Sequence, residues 1–242
     1  MKTAIVTGAS TGIGRAVAQE LAQHDYRVIL VARNLPALSE TKRTIEQNNG
    51  KAEIFTTDLA SVDSVNKLIT AITSKYTEIH LIANIAGIWH GSDEVYAGKD
   101  FEDFDQNIIL NTYQVGTITP TLLIHGLLPH MKACSKVINL SGTFENGAKG
   151  WLPYFVSKRA IEDLTLGLAQ ELEEKDIQVN CISPSDTATE AYAKFFPQYM
   201  NDAIEPSEIA KKIVDLARED NNTTGKIFVM KKGSEPYEHF HY

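Results

Sequence analysis

A short apolar run, Ala4-Ile5-Val6, leads into Thr7-Gly8-Ala9-Ser10-Thr11-Gly12-Ile13-Gly14, and a helical pattern follows at once. The run fits a strand buried on both faces, as in a parallel sheet. Glycines permit a tight turn and let the backbone approach a phosphate with no side chain between. A helix opening at Gly12 or Ile13 points its free N–H groups and its positive dipole end at that phosphate. Strand, glycine turn and helix in this order make the first βα unit of a dinucleotide-binding sheet. Three glycines alone would mark only a tight turn; the flanking strand and helix give them the second meaning.

The 242 residues are enough for one large domain. With 43% hydrophobic and 22% charged residues, the chain can bury a full core. Its net charge of −8 comes without a basic stripe, which excludes a nucleic-acid binder. Cys134 and Cys181 have no CxxC spacing. They fit a reducing compartment and are expected in the core. The chain enters its first strand directly, leaving no room for a signal peptide. The most apolar stretch, Leu122 to Met131, is short and interrupted by His125, Gly126 and Pro129, so it cannot span a bilayer. A cytoplasmic protein is the expectation.

Strand-like and helix-like segments alternate. The pattern predicts strands near residues 3–7, 27–31, 52–56, 79–83, 136–140, 178–182 and 226–230. Helical patterns lie near residues 12–24, 35–48, 62–75, 101–131, 154–174 and 207–219. Residues 101–131 are too long for one ordinary helix and carry Gly116 and Pro120, so a break or kink is expected there. Alternating strands and helices require right-handed crossovers. The expected fold is α/β: one Rossmann-type doubly wound parallel sheet of about seven strands, with helices on both faces. Residues 1–242 then form a single NAD(P)-binding domain. Residues 186–205 are read as a mobile substrate loop and 234–242 as a C-terminal tail.

The end of the second predicted strand reads Val31-Ala32-Arg33-Asn34. NAD-binding sheets place a carboxylate about twenty residues past the glycines, where it accepts from ribose hydroxyls. Here a guanidinium stands instead. Arg33 suits a bidentate pair with a ribose 2′-phosphate, which favours NADP(H) over NAD(H). The plainer alternative is a solvated arginine, and Thr11 sits where a second basic residue would have helped. Asp58, before Leu59, follows the third strand and suits an adenine amino group, or equally a helix cap. Asn84-Ile85-Ala86-Gly87 follows the fourth, where small residues admit the adenosine ribose. Asn84 would serve as well in tying neighbouring strand ends together.

These residues resemble the short-chain dehydrogenase/reductase family in its compact single-domain branch. The matching motifs are Thr7-Gly8-x-x-x-Gly12-x-Gly14, Asp58, Asn84-x-Ala86-Gly87, Tyr154-x-x-x-Lys158 and Thr224-Gly225, and they span nearly the whole chain. The resemblance implies strand order 3-2-1-4-5-6-7, reversible hydride transfer with a nicotinamide cofactor, and a homodimer or homotetramer. It implies cofactor contacts at Gly8, Ser10, Thr11, Gly12, Ile13, Gly14, Asp58, Leu59, Asn84, Ala86 and Gly87. Pro184, the Thr187 backbone and the Thr189 hydroxyl are implied at the nicotinamide carboxamide, in a segment where Ser185 replaces the usual glycine.

Tyr154 and Lys158 lie four apart in a helical pattern and so share a face. Carbonyl reduction needs a proton as well as a hydride. A phenol with its ordinary pKa of about 10 is a weak acid, and a nearby ammonium favours the phenolate. The resemblance implies a hydroxyl after the fifth strand that bonds the substrate carbonyl and the tyrosine, and two registers compete for it in Asn139-Leu140-Ser141-Gly142-Thr143. The family's common spacing to the tyrosine selects Ser141, with Thr143 as a substitute; alignment on Asn139 selects Gly142, which has none. The resemblance also implies an asparagine that holds a proton-relay water, and two registers compete for it. The segment ending in Asn111 resembles the family's, whereas counting back from Leu128-Pro129 reaches Gly116. Ser141 and Asn111 are the preferred members beside Tyr154 and Lys158.

The expected substrate walls are residues 88–95, 144–152 and 191–200, offering Trp89, His90, Phe144, Trp151, Tyr192, Phe195, Phe196 and Tyr199. They suit a small apolar or aromatic carbonyl compound or alcohol, or else close the core beneath a loop. His239 and His241 in the aromatic tail lack a third ligand, and no metal site is expected. The leading function is an NADPH-dependent oxidoreductase with Tyr154 as general acid/base. The alternative is an NADP(H)-binding regulatory or partner-binding module with little catalysis.

Overall fold

The computed structural model describes residues 1–145 and 147–240. β1 (Lys2–Thr7) is buried on both faces from Thr3 onward. Its side chains alternate across the sheet. Ala4 and Val6 join one core, beneath α1 (Gly12–Gln23), α2 (Leu35–Gln47) and α8 (Pro206–Leu216). Ile5 joins the other, beneath α3 (Val62–Lys75), α5 (Thr119–Leu127) and α6 (Leu152–Glu171). The same alternation divides β2 (Tyr26–Ala32): Val28 and Leu30 face the first core, Ile29 and Val31 the second. Helices therefore cover both faces of one sheet.

The remaining strands are β3 (Lys51–Thr56), β4 (Ile79–Asn84), β5 (Met131–Leu140), β6 (Gln178–Pro184), β7 (Lys226–Met230) and β8 (Tyr237–Glu238). The sheet order is β3-β2-β1-β4-β5-β6-β7-β8, parallel except for β8. The carboxyl ends of seven strands thus share one edge, and the order reverses between β1 and β4. A doubly wound sheet places its ligand in that crevice.

Three local expectations are refined. An eighth strand exists, because Tyr237–Glu238 of the tail pairs antiparallel with the β7 edge. His239 adds a further bond, its N–H donating to the Ile227 carbonyl at 3.0 Å; His241 lies outside the described residues. Cys134 is exposed, unlike the buried Cys181. It sits at φ 65° where β5 bulges at its start, which lifts it out of the core. Residues 186–205 are not one loop: they hold α7 (Glu190–Phe195) and a 3₁₀ segment (Pro197–Asp202).

The long segment 101–131 breaks as its glycine and proline require. A 3₁₀ turn (Phe101–Asp103) precedes α4 (Gln106–Tyr113), which passes through a π-helical turn (Gln114–Ile118) into α5. Pro120 falls in the first turn of α5, where its missing N–H costs no hydrogen bond. The π turn takes up the extra residues between the two sequence landmarks. Gly116 lies within it, and a Cβ there would come within 2.9 Å of Ser157 on α6.

Candidate active site

The glycine turn joins β1 to α1 at the switch point. Gly8 (φ 71°) donates its N–H to the Val31 carbonyl at 2.8 Å and lies so close to Ala86 that a Cβ would sit 3.1 Å from its Cα. Gly14 is crossed by the Gly8 carbonyl, which leaves no space for a side chain. Thr7 Oγ1 accepts the N–H groups of Ile85 and Ala86 at 3.0 and 3.2 Å, clamping the β1 and β4 ends together. Thr11 provides no side-chain cap for α1. The Glu190 carboxylate fills that place, accepting the Gly12 N–H at 3.2 Å and Arg15 Nη1 at 2.6 Å. Ser10 contributes its carbonyl, which accepts from Arg15 Nε and Nη2. Ile13 packs against the first core.

Arg33 is exposed at the end of β2, and Asn34 beside it caps α2 by accepting the Ala37 N–H. Asp58 is exposed, with Oδ1 accepting from Ala60 N–H in a local turn. Leu59 is buried, and its carbonyl accepts from Thr119 Oγ1 at 2.7 Å. Asn84 is buried and donates from Nδ2 to Asn139 Oδ1, tying β4 to β5. Asn139 in turn donates to Thr165 Oγ1 on α6. Pro184 closes β6, its carbonyl accepting the Thr143 N–H at 3.0 Å. Thr187 Oγ1 donates to the Ser185 carbonyl. Thr189 Oγ1 caps α7 by accepting the Tyr192 N–H at 3.1 Å, so its hydroxyl serves its own helix.

Tyr154 and Lys158 project from one face of α6, as their spacing requires. Lys158 Nζ lies 5.3 Å from the Tyr154 ring centroid and donates to the Leu140 carbonyl at 2.8 Å. Gly87 faces both: a Cβ there would stand 3.2 Å from Nζ and 3.7 Å from Tyr154 Cε2. Burial pushes Lys158 down to about 8. Burial also pushes the Tyr154 phenol above its ordinary range. Desolvation is the cause, and the expected lowering by the ammonium is absent here.

Ser141 and Asn111 are placed differently. Ser141 is 2% exposed, and its Oγ donates to the buried Glu162 carboxylate at 2.6 Å. Arg159 Nη1 donates to the other oxygen of Glu162 at 2.8 Å. The Ser141 hydroxyl proton is thus committed to a buried carboxylate. Gly142 follows it, with nothing closer to a built Cβ than Phe144 Cε2 and the Pro184 carbonyl oxygen, both at 3.9 Å. Asn111 is exposed. The π turn instead brings Gly116 and Thr117 against α6, where Thr117 Oγ1 donates to the Ser157 carbonyl at 3.3 Å.

An aromatic chain runs outward from Tyr154. Phe144 lies 5.8 Å and Trp151 6.1 Å from it, ring centre to ring centre. Trp151 meets Phe196, which meets Tyr192 and stacks on Trp89. Phe195 closes on Trp89 and His90. Lys194 donates to the Ser92 carbonyl at 2.5 Å and pairs with Asp93 at 3.1 Å, fastening α7 to the loop after β4. Tyr199 is 52% exposed and stands outside this cluster.

Sequence reasoning missed Arg15, Glu162 and Glu190. Glu162 had a signal, since it follows Lys158 by one helical turn on the same face. Glu190 had none, because its partners lie on the other side of the chain's path. What the assembled edge offers chemically is an anion-binding helix N-terminus and, on α6, a half-buried phenol with a buried ammonium.

Comparison with known proteins agrees with that geometry. The family model for short chain dehydrogenases matches residues 2–199. The chain is 30% identical over 225 residues to a fatty acyl-CoA reductase of Acinetobacter baylyi, covering 90% of this chain and 70% of that protein. It is 27% identical to carbonyl reductase family member 4 of Danio rerio, covering 96% of this chain and 97% of that one. Among solved structures, the angucycline C-6 ketoreductase LanV with bound NADP superposes with a TM-score of 0.84 at 25% identity, over 94% of this chain and 93% of that one. With its parallel sheet, its glycine turn and its paired Tyr154 and Lys158, the chain belongs to the short-chain dehydrogenase family of oxidoreductases.

Proposed function

We propose that this chain is an NADP(H)-dependent carbonyl reductase, or the alcohol dehydrogenase of the reverse reaction, for a small apolar or aromatic compound. The observation that carries the reading is the meeting of Tyr154, Lys158 and Gly87 at the sheet edge that also bears the glycine turn. The NADP bound in LanV and the carbonyl chemistry named for the Danio rerio relative support it. The residues fit the cofactor: Gly8 and Gly14 let the turn fold tightly against Ala86 and against itself, and the α1 N-terminus already holds a carboxylate.

In this reading the segment Gly8 to Gly14 holds the pyrophosphate, with Ser10, Thr11, Gly12 and Ile13 supplying backbone. Arg33 holds the 2′-phosphate, Asp58 and Leu59 meet the adenine, and Asn84, Ala86 and Gly87 admit the ribose. Lys158 bonds the nicotinamide ribose, and Pro184, Thr187 and Thr189 flank the carboxamide. The bound nicotinamide supplies or accepts the hydride. In reduction, Tyr154 donates its proton to the substrate oxygen as hydride reaches the carbon. Lys158 stabilises the phenolate left behind. The aromatic chain excludes water and offers flat apolar walls.

The raised Tyr154 and the lowered Lys158 fix a pH dependence. Tyr154 stays protonated across the neutral range, so the acid is available throughout. Lys158 loses its charge as pH rises through about 8. The kcat/KM for NADPH, which reports groups of the free enzyme, therefore falls above that pH and is level below it. A profile unchanged across pH 8 would remove Lys158 from this role.

A second reading, an NADP(H)-binding regulatory module, is favoured by one observation: the Ser141 hydroxyl is turned away to Glu162. Gly142→Ser separates the two. The site has room for the hydroxyl, and a positioned donor to a developing oxyanion is worth about 10²–10³ in rate. The enzyme reading expects kcat to rise about tenfold or more. No turnover by either protein across a broad carbonyl panel favours the module.

Exposed Phe101, Leu110, Ile118 and Val156 lie on the segment 101–118 and on α6. They are the proposed contact of a homodimer or homotetramer. Among the described residues no helix is long and apolar enough to cross a membrane; a cytoplasmic location belongs to the proposal.

A further inference from the structure

We propose that Glu190 is a built-in occupant of the dinucleotide phosphate site, and that the Gly12 amide and Arg15 form a clamp which the cofactor pyrophosphate takes over from it. The inference rests on the dinucleotide reading above and names what that reading leaves out.

Glu190 opens α7, yet it binds a turn 178 positions earlier in the chain. One carboxylate oxygen accepts from the Gly12 amide at 3.2 Å and the other from Arg15 Nη1 at 2.6 Å. Arg15 is fixed in place, because Nε and Nη2 both donate to the Ser10 carbonyl, at 3.2 and 2.9 Å. Its third group is therefore aimed, not swinging free. An anion bridging a guanidinium and a helix-terminal amide is the arrangement that a phosphate adopts at such a site. Burial disfavours the Glu190 carboxylate, but backbone N–H groups and Arg15 hold it below the usual carboxylate range. It stays ionised at neutral pH.

A pyrophosphate at the α1 N-terminus needs the same donors and carries the same sign of charge. Both cannot occupy the clamp. Glu190 must leave, and the adjoining Thr189, whose Cγ2 stands 2.9 Å from where a Cβ on Gly12 would be, feels that displacement. The six residues of α7 that follow carry Lys194 and Phe195, which close on Asp93, Trp89 and His90. Displacement at the phosphate end thereby loosens the aromatic cover over Tyr154. The dinucleotide thus alters the cover beside the half-buried Tyr154.

The pair is partly exposed, with side-chain exposures of 31% for Arg15 and 60% for Glu190. Its effect as a competitor is accordingly modest, about three- to tenfold. The test uses the full chain with NADPH and, separately, inorganic pyrophosphate. Glu190→Gln should bind both about three- to tenfold more tightly than the unaltered protein. Arg15→Gln should bind both more weakly, and adding Glu190→Gln to it should gain less than in the unaltered background. Limited proteolysis within residues 186–205 should rise when NADPH is added to the unaltered protein, and should already be high in Glu190→Gln. Equal or weaker pyrophosphate binding by Glu190→Gln overturns the proposal, as does equal gain with and without Arg15. Tighter pyrophosphate binding without NADPH binding by either protein leaves the clamp standing and overturns the dinucleotide reading.

Discussion

Replacing Tyr154 with phenylalanine lowers kcat by about 10³-fold, the middle of the range of ~10²–10⁴ for a positioned general acid. The substitution removes one oxygen and leaves the ring. The contacts with Phe144 and Trp151 persist, so the aromatic cover and the fold stay intact. The dissociation constant of NADPH should change by less than about threefold, because Lys158 and the glycine turn are untouched. Steady-state turnover on a carbonyl substrate and a fluorescence titration of NADPH check the two halves. Unchanged turnover would falsify the assignment of the acid. A large loss of NADPH binding would place the phenol in the cofactor site instead.

Arg33→Asp is the second large effect. Arg33 stands exposed at the end of β2 with its guanidinium available to a ligand. Hydrogen bonds to charged groups are each worth about 1.5–3 kcal/mol. Losing a bidentate pair and adding a repelling carboxylate should weaken NADPH about 100-fold or more. NADH should change little, or gain, since aspartate accepts from the ribose hydroxyls that NADH offers there. Paired titrations of the two dinucleotides with both proteins measure the ratio. Equal effects on NADPH and NADH would show that Arg33 does not read the phosphate.

The elements most legible in the sequence were those whose constraint is local. Gly14 is forced by a contact within one βα turn, with the Gly8 carbonyl. Tyr154 and Lys158 meet because helical geometry brings every fourth residue to one face. The break in residues 101–131 was written in Gly116 and Pro120. Boundaries were read less well: β5 begins at Met131, well before the apolar run at Lys136, because a bulge lets polar residues continue the strand. The tail strand was missed for a related reason. Two residues carry no periodicity, and only the open β7 edge makes them a strand.

The sequence by itself determined the class of fold, the glycine cradle and the phenol–ammonium pair, since spacing along one strand, turn or helix decides each of them. Tertiary structure alone decided where Ser141 points and what occupies the α1 N-terminus. Ser141 is claimed by a carboxylate on α6. Glu190 arrives from across the sheet to cap a helix that its own N-cap residue leaves uncapped. These are contacts between segments distant in sequence. No pattern along the chain records which hydroxyl, amide or carboxylate will find which partner once the two helical layers close on the sheet.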